Sequence, residues 1–135
     1  MKIAVIGVGA MGSIYAALLA DAGHDVWAVD TWDAHVASIN NTGLRVQGAS
    51  GDRIVRTIRA TTQISDIGVC DLCLIATKAA GVGTAARDAA GVIGQDSIVL
   101  TIQNGLGSGE RIAEYIPTEN VLLGVADGFG ASMIA

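Results

Sequence analysis

The stretch Lys2-Ile3-Ala4-Val5-Ile6-Gly7-Val8-Gly9-Ala10-Met11-Gly12-Ser13 decides the fold. Its first five residues are a short apolar run rich in β-branched side chains, which predicts a buried strand over residues 2–6. The spacing then changes. Ile14, Leu18, Leu19 and Ala22 recur at helical intervals, so a helix is predicted over 10–22 with Gly23 just past its end. Between strand and helix lies Gly7-x-Gly9-x-x-Gly12, in which each glycine has a separate reason. Gly7 allows a tight turn off the strand, Gly9 lets the backbone come against a diphosphate, and Gly12 lets the helix pack closely on the strand. The diphosphate would rest on free amides at the positive end of the helix dipole. Gly7, Val8, Gly9, Ala10, Met11 and Gly12 are therefore the candidate residues for that contact.

Outward from this turn the chain alternates apolar runs with amphipathic stretches, the pattern of βαβ units and a parallel sheet. A second strand is predicted over 25–30 and a short helix over 33–41, with Asn40 and Asn41 suiting its exit before Gly43. The alternation is then interrupted. Residues 43–48 and 53–60 both show period-two patterning around Ala49-Ser50-Gly51-Asp52, which predicts a β-hairpin. It resumes with a strand over 70–76, a glycine-rich helix within 79–91, a strand over 97–102, a helix over 108–116 ending before Pro117, and a strand over 121–125. The expected fold is α/β: a Rossmann-type, doubly wound, mostly parallel sheet with an inserted β-hairpin, residues 1–135 forming one dinucleotide-binding domain. The tail from Val125 stays apolar, without a helix cap or a polar end, the pattern of an interrupted chain.

Composition narrows the function. With 51% hydrophobic residues in 135, the chain can bury a sizeable core without staples. A formal charge of −5 and only 8 basic residues argue against nucleic acid and membrane surfaces as partners. The apolar run Ile3 to Leu19 is broken by Gly7, Gly9, Gly12 and Ser13, so neither a signal peptide nor a membrane span is expected, and a cytoplasmic location is. Cys70 and Cys73 sit in the predicted strand Val69-Cys-Asp-Leu-Cys-Leu-Ile-Ala, where residues three apart point to opposite faces. His24 and His35 belong to other elements, so the thiols are read as structural and no metal is expected.

Three further positions fall at the carboxyl ends of predicted strands, where open α/β sheets bind ligands. Asp30 lies 18 residues after Gly12, near the offset of about 20 at which a carboxylate accepts hydrogen bonds from an adenosine ribose. Its competing role is to cap the next helix, for which Thr31 and Asp33 also qualify. A carboxylate there repels a 2′-phosphate and no Arg lies between Thr31 and Val36, so NADH is expected over NADPH. Lys78 offers a point charge to cofactor or acidic substrate, and Asn104 carries a donor and an acceptor that could bridge nicotinamide and substrate. Their plainer readings are a solvated strand-exit lysine and an Asn-Gly turn.

The glycine turn, Gly23-His24-Asp25-Val26, Asn41-Thr42-Gly43-Leu44, Thr77-Lys78-Ala79 and Gln103-Asn104-Gly105-Leu106-Gly107 together resemble the ketopantoate reductase family over nearly the whole chain. That resemblance implies hydride transfer from NAD(P)H to the ketone of a small-molecule 2-oxo acid, within pantothenate biosynthesis. It implies that Lys78 and Asn104 line the cofactor and substrate cleft, and that Ala131 falls near a cofactor contact with a spacing one residue longer. The family usually carries an arginine for NADPH where this chain has Asp30-Thr31. The family's proton-donating lysine lies in a C-terminal helical domain absent from these 135 residues, so the piece alone is expected to bind cofactor without turnover, beside that missing domain or a homo-oligomer partner. Two other classes compete. A hydroxyisobutyrate or phosphogluconate dehydrogenase-like enzyme shares the opening motif but lacks the Thr-Lys-Ala and Gln-Asn-Gly pair; a non-catalytic NAD(H)-sensing module would need an effector domain or dimerising helix.

Overall fold

Along the first strand, β1 (Lys2–Ile6), side chains alternate between two cores: Ile3 and Val5 enter one, Ala4 and Ile6 the other. A strand buried on both faces belongs in the middle of a parallel sheet covered by helices on both sides. The computed structural model describes residues 1–103, 106–128 and 130–134. After β1 come α1 (Ala10–Asp21), β2 (Asp25–Val29), α2 (Asp33–Thr42), β3 (Leu44–Gly48), β4 (Gly51–Val55) and β5 (Arg59–Thr61). Then follow β6 (Cys70–Ile75), α3 (Val82–Ala89), β7 (Ile93–Thr101), α4 (Ser108–Ala113) and β8 (Val121–Leu123).

Six strands form one sheet in the order β5-β2-β1-β6-β7-β8, every pair parallel. Chain order runs outward from β1 in both directions, so the crevice for a ligand opens between the carboxyl ends of β1 and β6. One face is covered by α1, α2 and the antiparallel β3–β4 pair, whose Leu44, Val46 and Val55 share a core with Ile3, Val5, Val26 and Leu74. The other face carries α3 and α4, with Val82, Ala86, Ile112 and Ile116 against Ala4, Cys73 and Ile75. Among the described residues no helix is long and apolar enough to cross a membrane.

The strand predicted over 53–60 is two strands in two sheets. Gly51–Val55 pairs with β3, and after a bend at Arg56 to Ile58 the chain enters the large sheet as the edge strand Arg59–Thr61 beside β2. Val55, Ile58 and Ala60 all reach the same core, and the bend is what lets them. Asn40 is also placed differently: it lies within α2, not at its exit, and its side chain grips the backbone of the edge strand. Its Nδ2 donates to Ala60 O and its Oδ1 accepts from Ala60 N, both at 2.9 Å. An exposed edge is thereby hydrogen-bonded without another strand.

The predicted 79–91 helix is broken into a 3-10 turn over Ala79–Gly81, α3, and a second 3-10 turn over Ala90–Val92. Helix α4 is shorter than predicted, β8 ends at Leu123, and β7 starts earlier, at Ile93. The two cysteines do not point to opposite faces. Both enter the core beneath α3, because the register between β6 and β7 shifts between Cys70 and Leu72 and turns Cys70 out of the strand's alternation. Both are buried free thiols, and hydrogen bonding to Cys70 together with burial pushes the Cys73 thiol well up.

Candidate functional site

The backbone at the end of β1 is closely packed at two of its three glycines. Gly7 has φ +86°, and a Cβ there would meet the Thr77 backbone at 2.8 Å, so β1 and β6 approach each other as only glycine permits. At Gly12 a Cβ would stand 2.0 Å from Gly7 O, which fixes how closely α1 presses on the turn. Gly9 is the opposite case. Nothing lies within 4 Å of a Cβ there, so its surface faces open space.

Helix α1 begins at this turn without any side-chain cap and without an acidic residue in its first turn. Its first internal bond runs from Ser13 N–H to Gly9 O at 2.9 Å, so the amides of Gly9, Ala10, Met11 and Gly12 have no acceptor within the helix. A helix end left in that condition, over open space, suits an anion. Val8 and Gly12, also candidates, are buried behind the turn.

The open space is a cleft of about 830 Å³ lined by Gly7, Gly9, Ala10, Met11, Asp30, Lys78 and Ala131, with Thr77, Gln103 and Ala126 among its other walls. Seven of the candidate residues thus meet at the crevice between β1 and β6. Asp30 sits just past β2, half-buried, with Oδ1 accepting from Trp32 N–H at 3.0 Å. The carboxylate thus holds the backbone just before α2, whose N-cap is Trp32 and which has no side-chain cap, while Oδ2 makes no hydrogen bond among the described residues. Lys78 is exposed at the exit of β6. Ala131, on the chain after β8, lines the cleft together with Ala126 and Gly130. Asn104 lies outside the described residues.

Residues to which the sequence reading gave no role complete the site. Gln103 uses its Nε2 to donate to Ile75 O at 2.8 Å and Thr77 O at 2.9 Å, tying the loop after β7 to the end of β6. The Gln of the Gln-Asn-Gly signature is therefore a clamp between two loops. Thr77 Oγ1 is buried without a partner among the described residues. An adjoining cleft of about 700 Å³ continues from Gly7 and Asp30 along Thr62, Ile64, Thr77 and Thr84. Trp32, just before α2, and His35 in its first turn were also silent in the sequence, although His35 Nε2 lies 2.9 Å from Val8 O in the glycine turn.

Comparison with known proteins agrees with this geometry. The family model described as ketopantoate reductase PanE/ApbA matches residues 3–134. A 2-dehydropantoate 2-reductase of Streptococcus pyogenes serotype M3 is 33% identical over 125 residues, 93% of this chain and 40% of that protein. One from Pyrococcus abyssi is 37% identical over 115 residues, 85% of this chain and 37% of that protein. The chain thus spans about 40% of the length of the curated relatives it matches. Among solved structures, 2-dehydropantoate 2-reductase from Geobacter metallireducens superposes with a TM-score of 0.81 at 29% identity, covering 91% of this chain and 40% of that one. D-mandelate dehydrogenase with NADH and anilino(oxo)acetate superposes with a TM-score of 0.83 at 31% identity, covering 93% and 40%. The family match runs from β1 into the tail beyond β8, so that every element lining the cleft lies within it, and the chain belongs to the ketopantoate reductase family.

Proposed function

We propose that this chain is the cofactor-holding domain of a reductase that carries hydride from a reduced nicotinamide dinucleotide to the ketone of a 2-oxo acid, with 2-dehydropantoate as the first candidate. The observation that carries the reading is the uncapped start of α1, whose first amides lack helical acceptors beside an uncrowded Gly9, with Gly9, Ala10 and Met11 lining the cleft between β1 and β6. The names of the relatives and a structural neighbour that holds NADH support it.

In this reading the amides from Gly9 to Gly12 hold the diphosphate, and the free oxygen of Asp30 accepts from a ribose hydroxyl. Lys78, at the β6 exit, supplies a positive charge to a phosphate or to the substrate carboxylate. Asn104 orients the nicotinamide or the substrate. When bound, the nicotinamide supplies the hydride. Ketone reduction also needs a proton donor, and the family resemblance assigns that lysine to a helical domain beyond these residues.

Two outcomes test the proposal. No Arg or Lys follows Asp30 before Val36 to offset the carboxylate's repulsion of a 2′-phosphate, so NADH should bind about tenfold tighter than NADPH in a fluorescence titration. The reverse order would remove the ribose role of Asp30. The chain should also show no steady-state oxidation of NADH with 2-dehydropantoate, followed at the nicotinamide absorbance. Sustained turnover would mean that these residues contain the proton donor.

A further inference from the structure

A histidine on α2 reaches across to the carbonyl of the glycine turn. We infer that His35 is a positioning residue for cofactor binding: with Ser13, it pins the Val8–Gly9 peptide so that the Gly9 amide faces the diphosphate. The inference rests on the diphosphate lying over this turn, as proposed above.

The geometry is specific. Val8 O accepts from Ser13 Oγ at 2.8 Å and lies 2.9 Å from His35 Nε2, and since a carbonyl can only accept, Nε2 carries the proton. Two donors use both lone pairs of that oxygen. Val8 is fully buried and Ser13 nearly so, which fixes the carbonyl toward the protein interior. The Val8–Gly9 peptide is trans, and a trans peptide holds its C=O and N–H on opposite sides, so the amide of Gly9 is turned outward. Gly9 itself is exposed and borders the cleft. Without the two donors, the plane of this peptide could rotate and withdraw the amide, because Gly9 has no side chain to resist.

His35 is itself held. Its ring stacks on Trp32 with centroids 5.4 Å apart and planes 27° from parallel, and the Trp32 backbone N–H is bound by Asp30 Oδ1 at 3.0 Å. The ribose-binding candidate and the diphosphate turn are thus joined by one run of contacts: Asp30, Trp32, His35, Val8. Ser13 belongs to the helix that the turn opens, whereas His35 comes from a separate helix, 27 residues from Val8. It therefore fixes the turn relative to the rest of the site as well as within itself.

The test is an NADH titration of the 135-residue chain and of its H35A and H35Q variants, each with a thermal melt. Gln places an N–H donor at about the reach of Nε2 and can restore the bond without an aromatic ring. H35A should raise the NADH Kd about tenfold, and H35Q should return it to within about threefold of wild type. The Gly9 amide resonance in a nitrogen–proton correlation spectrum should move in H35A and return in H35Q, while those of β7 stay in place. An H35A chain that binds NADH as tightly as wild type, or an H35Q chain no better than H35A, would overturn the role of His35 alone. Failure of the wild-type chain to bind NADH would overturn the proposed function, and this inference with it.

Discussion

Gly9→Val is expected to abolish measurable NADH binding, with a loss of about a hundredfold or more, while the thermal midpoint stays within a few degrees of wild type. The two halves of that result come from different facts about one position. Gly9 has φ −67° and ψ −157°, an extended conformation at negative φ, and a Cβ there meets no atom within 4 Å. The folded protein therefore accommodates the valine. The space it fills is the space over the amides at the start of α1, so two methyl groups would stand between those N–H donors and a diphosphate. A hundredfold loss corresponds to about 2.7 kcal/mol, within what several charge-assisted hydrogen bonds can contribute. NADH titration with a parallel melt decides it. Unchanged affinity in a folded variant would mean that the diphosphate does not lie against this backbone.

Strand, turn and first helix were legible because three constraints coincide within twelve residues. The apolar run, the glycine spacing and the helical repeat each fix the same register, and Gly7 and Gly12 meet their neighbours at the distances their roles require. The parallel sheet followed from the alternation of strands and helices, whereas its strand order, with the switch point beside β1, comes from the structure. What the sequence hides is partnership. Period-two patterning over 53–60 records that side chains alternate, and it is silent on which sheet each half joins. The role of Asn40 depends on an edge strand 20 residues further on, and Cys70 faces its core only because β6 and β7 slip in register.

The same limit applies to the site. Gly9, Asp30 and Lys78 stand at strand ends, where the fold class itself predicts ligands, so a motif finds them. His35 stands in the first turn of α2, in Ala34-His35-Val36 with no motif around it, and the role inferred for it depends on a main-chain oxygen far away in sequence. Gln103 was visible as part of a signature that assigned it no role, because its side chain ties together two loops whose proximity the sequence does not show.

Gly12→Ala should fail in the other way, by losing the fold. In most helices Gly→Ala stabilises by up to about 1 kcal/mol, since alanine has less conformational freedom to lose and the better helix propensity. Gly83, in α3, is such a site, with nothing within 4 Å of its added Cβ, and Gly83→Ala should melt at or slightly above wild type. At Gly12 the Cβ would be 2.0 Å from Gly7 O, 2.9 Å from Gly7 C and 3.3 Å from Ala76 Cβ. The first two atoms are backbone of a turn already held against Thr77, and Gly7 N–H donates to Val29 O at 2.8 Å, so neither the helix nor the turn can yield cheaply. Overpacking against fixed backbone costs about 3 kcal/mol or more, a large part of a domain's total stability, and should lower the midpoint by roughly 10 °C or more. Cofactor binding should fall with it, because moving α1 off the turn displaces the amides it presents. A Gly12→Ala chain melting at or above wild type, like the Gly83 control, would show that α1 does not press on the Gly7 carbonyl, and the close packing assigned to the third glycine would be wrong.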